Sequence, residues 1–132
     1  MENHALQTVS AFLTAVQQGN TEQLGAILHP QVEWNQPGNN RFSGIKKSVT
    51  EAFEMVGGMF QLTANTLALT EIGVMAVNGN RVSCLVRWNA KKADGSTLDV
   101  ANIDEYTVEN GKIIRATVYS ADIDQENKFW GN

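Results

Sequence analysis

Asp104 stands in a row of side chains that would otherwise be apolar. Read as a strand, residues 100–108 put Val100, Asn102, Asp104, Tyr106 and Val108 on one side, with Ala101, Ile103, Glu105 and Thr107 on the other. If the first row turns inward, two polar groups are buried in its middle, which is costly unless they are paired or put to use. A carboxyl buried without a cationic partner keeps its proton to higher pH. Asp104 would then be a neutral acid near pH 7, able to donate a hydrogen bond or a proton to an oxygen on a bound molecule. Two other arrangements fit the same residues: a strand solvated at this point, or Asp104 in a structural ion pair with Arg87 or Arg115.

Other chemistry finds less support. His4 and His29 fall in different elements, and no His, Asp or Glu cluster has metal-ligand spacing, so no metal is expected. Ser83 and Cys84 have no base at a telling distance for nucleophilic work. Gly57-Gly58 lacks the Lys and Ser or Thr of a phosphate loop and ends an apolar helical stripe instead of opening one. His29, just before Pro30, reads as the close of a helix.

The composition frames these residues. Hydrophobic residues make up 42% and charged residues 18% of 132, which suits one globular core over 1–132. A net charge of -4 with scattered basic residues argues against nucleic-acid binding, which needs clustered cations to displace counterions. Lys91-Lys92, beside Asp94-Gly95, reads as the solvated tip of a hairpin. Cys84 is the single cysteine, so a cytoplasmic setting is expected. The opening residues Met1 to His4 carry no positive run before an apolar stretch, and no apolar run is long enough to span a membrane.

Several elements must position Asp104. Leu6, Val9, Leu13 and Val16, widened by Ala5 and Phe12, predict an amphipathic helix over 5–16 that ends at Gly19. Asn20 can cap a second helix that Pro30 terminates. A short extended piece over 32–35 leads into a turn at 37–40. Ser43 can cap a third helix, with Ile45, Val49, Ala52, Phe53 and Val56 as its stripe and Gly57-Gly58 as its stop. The remainder is rich in Thr, Val, Ile and Leu, and Asn78-Gly79, Asp94-Gly95 and Asn110-Gly111 punctuate it. This predicts an antiparallel meander of about four strands. In one of them Val82, Cys84, Val86, Trp88 and Ala90 share an apolar face.

The run from Ile103 through Asp104, Tyr106, Asn110 and Gly111 to Ile113 resembles ketosteroid-isomerase-like and SnoaL-like polyketide cyclase proteins of the nuclear-transport-factor-2-like superfamily. The likeness extends through Gln18-Gly19-Asn20, the stretch from Leu28 to Trp34, Pro37-Gly38 and Ser43-Gly44. It implies an α+β fold in which three N-terminal helices pack on a strongly curved antiparallel sheet, a cone-shaped α+β barrel with an apolar cavity. It also implies a homodimer paired through the sheets.

In ketosteroid isomerases a carboxylate moves a proton while a tyrosine and a protonated aspartic acid hold the enolate oxygen. Asp104 falls at the position of that acid. The base position falls on or beside Asn35 and the tyrosine position on Phe12, and neither can do the original work. Glu33 could substitute as a base if its segment is extended, or be a surface glutamate beside Trp34. The resemblance therefore implies an acid/base isomerase, cyclase or hydratase acting on an apolar polyketide- or steroid-like molecule, without a cofactor. Asp104 would be the acid, with Asn35 orienting polar substrate atoms. Phe12, Trp34, Phe53, Val86, Trp88, Asn102, Tyr106 and Val118 would contact the ligand. The alternative is a non-catalytic binding or dimerisation domain that keeps the pocket. Tyr119 is expected on the outer face, and Phe129 and Trp130 over the pocket mouth or the dimer seam.

Overall fold

A computed structural model describes residues 4–132; residues 1–3, the start of the expected domain, lie outside the described residues. The chain opens with α1 (His4–Gln18) and α2 (Thr21–Ile27). Val9, Phe12 and Leu13 of α1 are buried, as their spacing requires. Asn20 caps α2 by accepting a hydrogen bond from Gln23 N at 3.1 Å. The helix ends before Pro30, because Leu28 is already extended and begins β1 (Leu28–Gln36). His29 therefore lies in a strand and not at a helix end, its Nδ1 accepting from Gln31 N at 3.0 Å.

The third helix starts later and runs further than its sequence suggests. Ser43 does not cap it: the Ser43 hydroxyl donates to Pro37 O and accepts from Asn40 N, closing a loop ahead of the short strand β2 (Gly44–Lys46). Ser48 is the cap of α3 (Val49–Leu62), accepting from Glu51 N at 3.1 Å, while Glu51 Oε1 accepts from Lys47 N. Gly57-Gly58 does not stop α3, because burial of Met59 beyond the pair outweighs the glycines' low helix propensity, about 1 kcal/mol each. Gly58 also makes room for Phe42, whose ring would lie 2.9 Å from an added Cβ.

The expected meander follows as β3 (Ala68–Asn78), β4 (Arg81–Lys91), β5 (Thr97–Glu109) and β6 (Lys112–Ser120). All three of its turns fall at the Asn-Gly and Asp-Gly signals, with Gly79, Gly95 and Gly111 at positive φ. The sheet is larger than the meander and not wholly antiparallel. Its order is β2-β1-β6-β5-β4-β3, with β1 parallel to β6. Four helices pack on this curved, unclosed six-stranded sheet, an α+β fold. Register breaks in β3 and between Thr107 and Val108 of β5 add to its bend.

The fourth helix, α4 (Ile123–Trp130), was not expected from the sequence. Asp122 caps it by accepting from Gln125 N at 3.1 Å, and Gly131 closes it. Asn127 Oδ1 accepts from Asn39 N and Asn40 Nδ2, and Arg41 N donates to Gly131 O. Lys92 is not a solvated tip residue either: its Nζ donates to Phe129 O at 2.6 Å and lies 4.9 Å from the ring centre. Those ties hold α4 across one end of the sheet's concave face.

Candidate functional site

The inward rows of β4 and β5 follow strict alternation. Val82, Cys84 and Val86 are buried on β4, and Val100, Asn102, Asp104, Tyr106 and Val108 on β5. Of the three arrangements open to Asp104, the structure has the buried one: the side chain is 4% exposed. Arg87 instead reaches Asp99 and Glu71, and Arg115 reaches Glu33 at 3.1 Å. Glu33 is thereby tied up on the outer side of β1.

Asp104 accepts one hydrogen bond, from the Tyr106 hydroxyl to Oδ2 at 2.7 Å. Its other oxygen, Oδ1, is buried with no hydrogen-bond partner among the described residues. Burial pushes the Asp104 carboxyl up to about 7; the Tyr106 hydroxyl opposes this and the nearby Glu126 carboxyl adds to it. The Tyr106 hydroxyl is held well above its ordinary range by burial and by Asp104, so it stays a donor. Cys84, opposite Asp104 in the strand register, is pushed up to about 12 by burial and by the same carboxyl, and is an inert thiol.

Asp104 and Tyr106 line a cavity of about 450 Å³ between the sheet and α1, α3 and α4. The wall is mostly apolar. Phe12, Trp34 and Tyr106 form an aromatic triangle with ring centres 5.5 to 6.2 Å apart. Phe53, Trp88 and Val118 also line it, as expected, whereas Val86 is packed in the core behind the wall. Gly19, Thr21 and Gly57 are lining residues that also reach solvent, so the mouth opens between the α1–α2 turn and α3. Trp130 is buried and closes the opposite end with Phe42 and Phe129, at ring-centre distances of 5.2 and 4.9 Å. An open trough over α1, lined by Leu6, Ser10 and Met75 among others, shares no wall residue with this cavity.

Asn35 is not brought to the site. It points outward and is exposed, because alternation along β1 turns Val32, Trp34 and Gln36 inward. Gln36 takes the interior position beside it, lining the cavity and accepting from Trp34 Nε1 at 3.1 Å through Oε1. Among the described residues no cluster of His, Cys, Asp and Glu could hold a metal ion. No described helix is long and apolar enough to cross a membrane.

The SnoaL-like domain family matches residues 9–116 of this chain. The chain belongs to that family. This SnoaL-like chain is 26% identical over 125 residues, 95% of each chain, to an uncharacterised protein of Mycobacterium tuberculosis. Its fold matches a protein of unknown function with a cystatin-like fold from Xanthomonas campestris, with a TM-score of 0.92 and 32% identity over 97% of this chain and 98% of that one. It also matches TerC, whose crystals contain polyporic acid, with a TM-score of 0.83 and 16% identity over 98% and 100% of the two chains. Two proteins described as NTF2-like, from Burkholderia pseudomallei and Burkholderia xenovorans, share the fold, with TM-scores of 0.85 and 0.79 at 17% and 18% identity.

The sequence reading missed one buried acid of this SnoaL-like site. Glu126 of α4 is 3% exposed and lines the cavity. With its amide assigned so that both ends are satisfied, Asn102 donates to Glu126 Oε2 at 3.3 Å and to Ala101 O at 2.9 Å. Burial raises the Glu126 carboxyl, the Ser120 hydroxyl and Trp130 indole oppose that, and Asp122 adds to it. Trp130 Nε1 itself completes no hydrogen bond among the described residues. The missed signal was Asp122 followed three residues later by Gln125, a cap pattern before Glu126, Phe129 and Trp130 on one helical face.

Proposed function

We propose that this protein binds an apolar small molecule in the cavity. Asp104 donates a hydrogen bond or a proton to a carbonyl or enol oxygen on it, in an isomerisation, cyclisation or hydration. The observation that carries the reading is Asp104 Oδ1, a buried oxygen in the cavity wall with no hydrogen-bond partner among the described residues. When the carboxyl is neutral, Oδ2 continues to accept from Tyr106 and the proton on Oδ1 has no acceptor until a ligand brings one. The aromatic triangle supports a flat or polycyclic ligand, and TerC, which shares the fold, was crystallised with polyporic acid.

The protein works as a homodimer in this reading. Leu85, Ile103 and Tyr119 sit in register across β4, β5 and β6 on the outer sheet face, with exposures of 42%, 52% and 56%. A row of this kind favours burial against a second copy. A cytoplasmic setting fits the free, buried Cys84.

The binding reading is tested with 2-naphthol, a flat fused-ring phenol whose fluorescence reports its surroundings. The expected result is saturable binding to the wild type and at least tenfold weaker binding to Asp104→Leu. Binding that ignores the substitution, or no binding, would contradict it.

A further inference from the structure

The position that holds the base in ketosteroid isomerases is taken here by an outward-facing Asn35, so an acid at Asp104 has no counterpart on β1. The counterpart lies on α4, beyond residue 116 where the family match ends. Glu126 and Asp104 line one cavity and lie close enough for the charge of the first to act on the second. The two carboxyls are not equivalent. Glu126 is met by the Asn102 amide and the Ser120 hydroxyl, two donors that favour a carboxylate. Asp104 is met by one, from Tyr106. Two adjacent buried carboxyls hold a proton between them, and it belongs on the member with fewer donors. The pair at rest is thus a Glu126 carboxylate facing an Asp104 acid across the same apolar space.

We propose that Glu126 is the general base of this site and that the substrate class is a cyclic or aryl ketone carrying an acidic hydrogen next to its carbonyl. This rests on the acid role of Asp104 proposed above. The Glu126 carboxylate takes the hydrogen from the carbon beside the carbonyl as a proton. The C–H electron pair becomes a carbon–carbon double bond, and the carbonyl π pair moves onto oxygen. Asp104 delivers its Oδ1 proton to that oxygen, giving a neutral enol, a protonated Glu126 and an ionised Asp104. The ionised Asp104 then takes its proton back from the enol oxygen as Glu126 protonates carbon: protonation of the same carbon after the Glu126 proton has swapped with solvent completes an exchange, and where a second double bond is conjugated with the enol, protonation of its far carbon completes an isomerisation. No co-reactant is needed, since the protons and charges balance within the two carboxyls and the ketone.

The test uses 2-tetralone, whose enol has nearly the shape of 2-naphthol. Loss of its α-hydrogens to D2O is followed by proton NMR with the intact protein, beside 2-naphthol binding by fluorescence. The wild type is expected to accelerate exchange above the buffer rate. Glu126→Gln should reduce the protein-dependent rate by about 100-fold or more while still binding 2-naphthol. Glu126→Asp, which keeps the charge but withdraws it by one methylene, should retain an intermediate rate and serves if the Gln variant does not fold. A wild type that binds 2-naphthol without accelerating exchange would overturn the base role and leave the binding reading standing. So would a Glu126→Gln or Glu126→Asp variant that exchanges at the wild-type rate. Failure of the wild type to bind 2-naphthol would overturn both.

Discussion

Tyr106 and Asp104 lie two positions apart on β5 and face the same way, and the tyrosine hydroxyl donates to Asp104 Oδ2 at 2.7 Å with both residues buried. Alternation along a strand brings such residues onto one face, so the pair is dictated by local sequence once the face is buried. The bond occupies one carboxyl oxygen and leaves the other for a ligand. Because the hydroxyl favours the ionised carboxyl, Tyr106→Phe should push Asp104 still higher. The cost in stability should be about 1–3 kcal/mol, the usual penalty for a buried acceptor that loses its donor. Urea unfolding and a carboxyl titration of the variant check the two effects together.

Stability should fall with rising pH through the same group. The folded protein holds the Asp104 proton up to about 7, whereas an ordinary aspartic acid releases it near 3.8. Below that lower value both states are protonated and no penalty exists. Between the two values the unfolded chain is ionised first, so folding weakens as pH rises. At about 1.4 kcal/mol for each pH unit, the loss is on the order of 4 kcal/mol. Asp104→Asn, which cannot titrate, should gain on the wild type by this amount between pH 4 and pH 8 and match it most closely at the acid end. Melting or urea curves for both proteins across that range provide the comparison; a constant difference would contradict the raised titration.

Much of this arrangement was legible in the chain. The Asn-Gly and Asp-Gly turns fixed the meander, and the interrupted apolar row on β5 pointed to Asp104 before its surroundings were known. The misplacements have physical causes. Ser43 and Ser48 are both competent caps, and only the tertiary loop around Asn40 decides that Ser43 is spent elsewhere. A glycine pair reads as a helix stop locally, yet Met59 continues the buried stripe of α3 beyond it. Asn35 and Gln36 differ by one residue in register, and one residue reverses a strand side chain. Glu126 was hidden because α4 is short and polar in composition, and its burial depends on contacts with residues 39–41 and 92, far off in sequence.

The docking of α4 should depend on Gly38. Its φ is +96°, and an added Cβ would sit 2.5 Å from Asn127 Oδ1 and 2.9 Å from the Ile123 side chain. Gly38→Ala should therefore cost about 1–3 kcal/mol and loosen α4 selectively. Hydrogen exchange of the amides in residues 123–130 should quicken while β4 and β5 keep their protection. Uniform loss of protection would mean that α4 unfolds only with the rest.

The outer row makes a separate prediction about assembly. Ile103 is 52% exposed and stands between Leu85 and Tyr119, so Ile103→Lys places a charge at the centre of the proposed dimer face. Sedimentation should show a dimer for the wild type and a monomer for the variant. An unchanged dimer would move the interface to another surface.

The central claim is that Asp104 is a neutral acid kept dry by the cavity, and carboxyl-detected NMR tests it most directly. Titrating carbon-13-labelled wild type beside Asp104→Asn identifies the Asp104 signal by its disappearance. The account predicts a midpoint near 7 for that signal, moved further when 2-naphthol occupies the cavity. A midpoint at the ordinary 3.8 would show a solvated or ion-paired carboxylate and would contradict both the acid role and the pairing with Glu126.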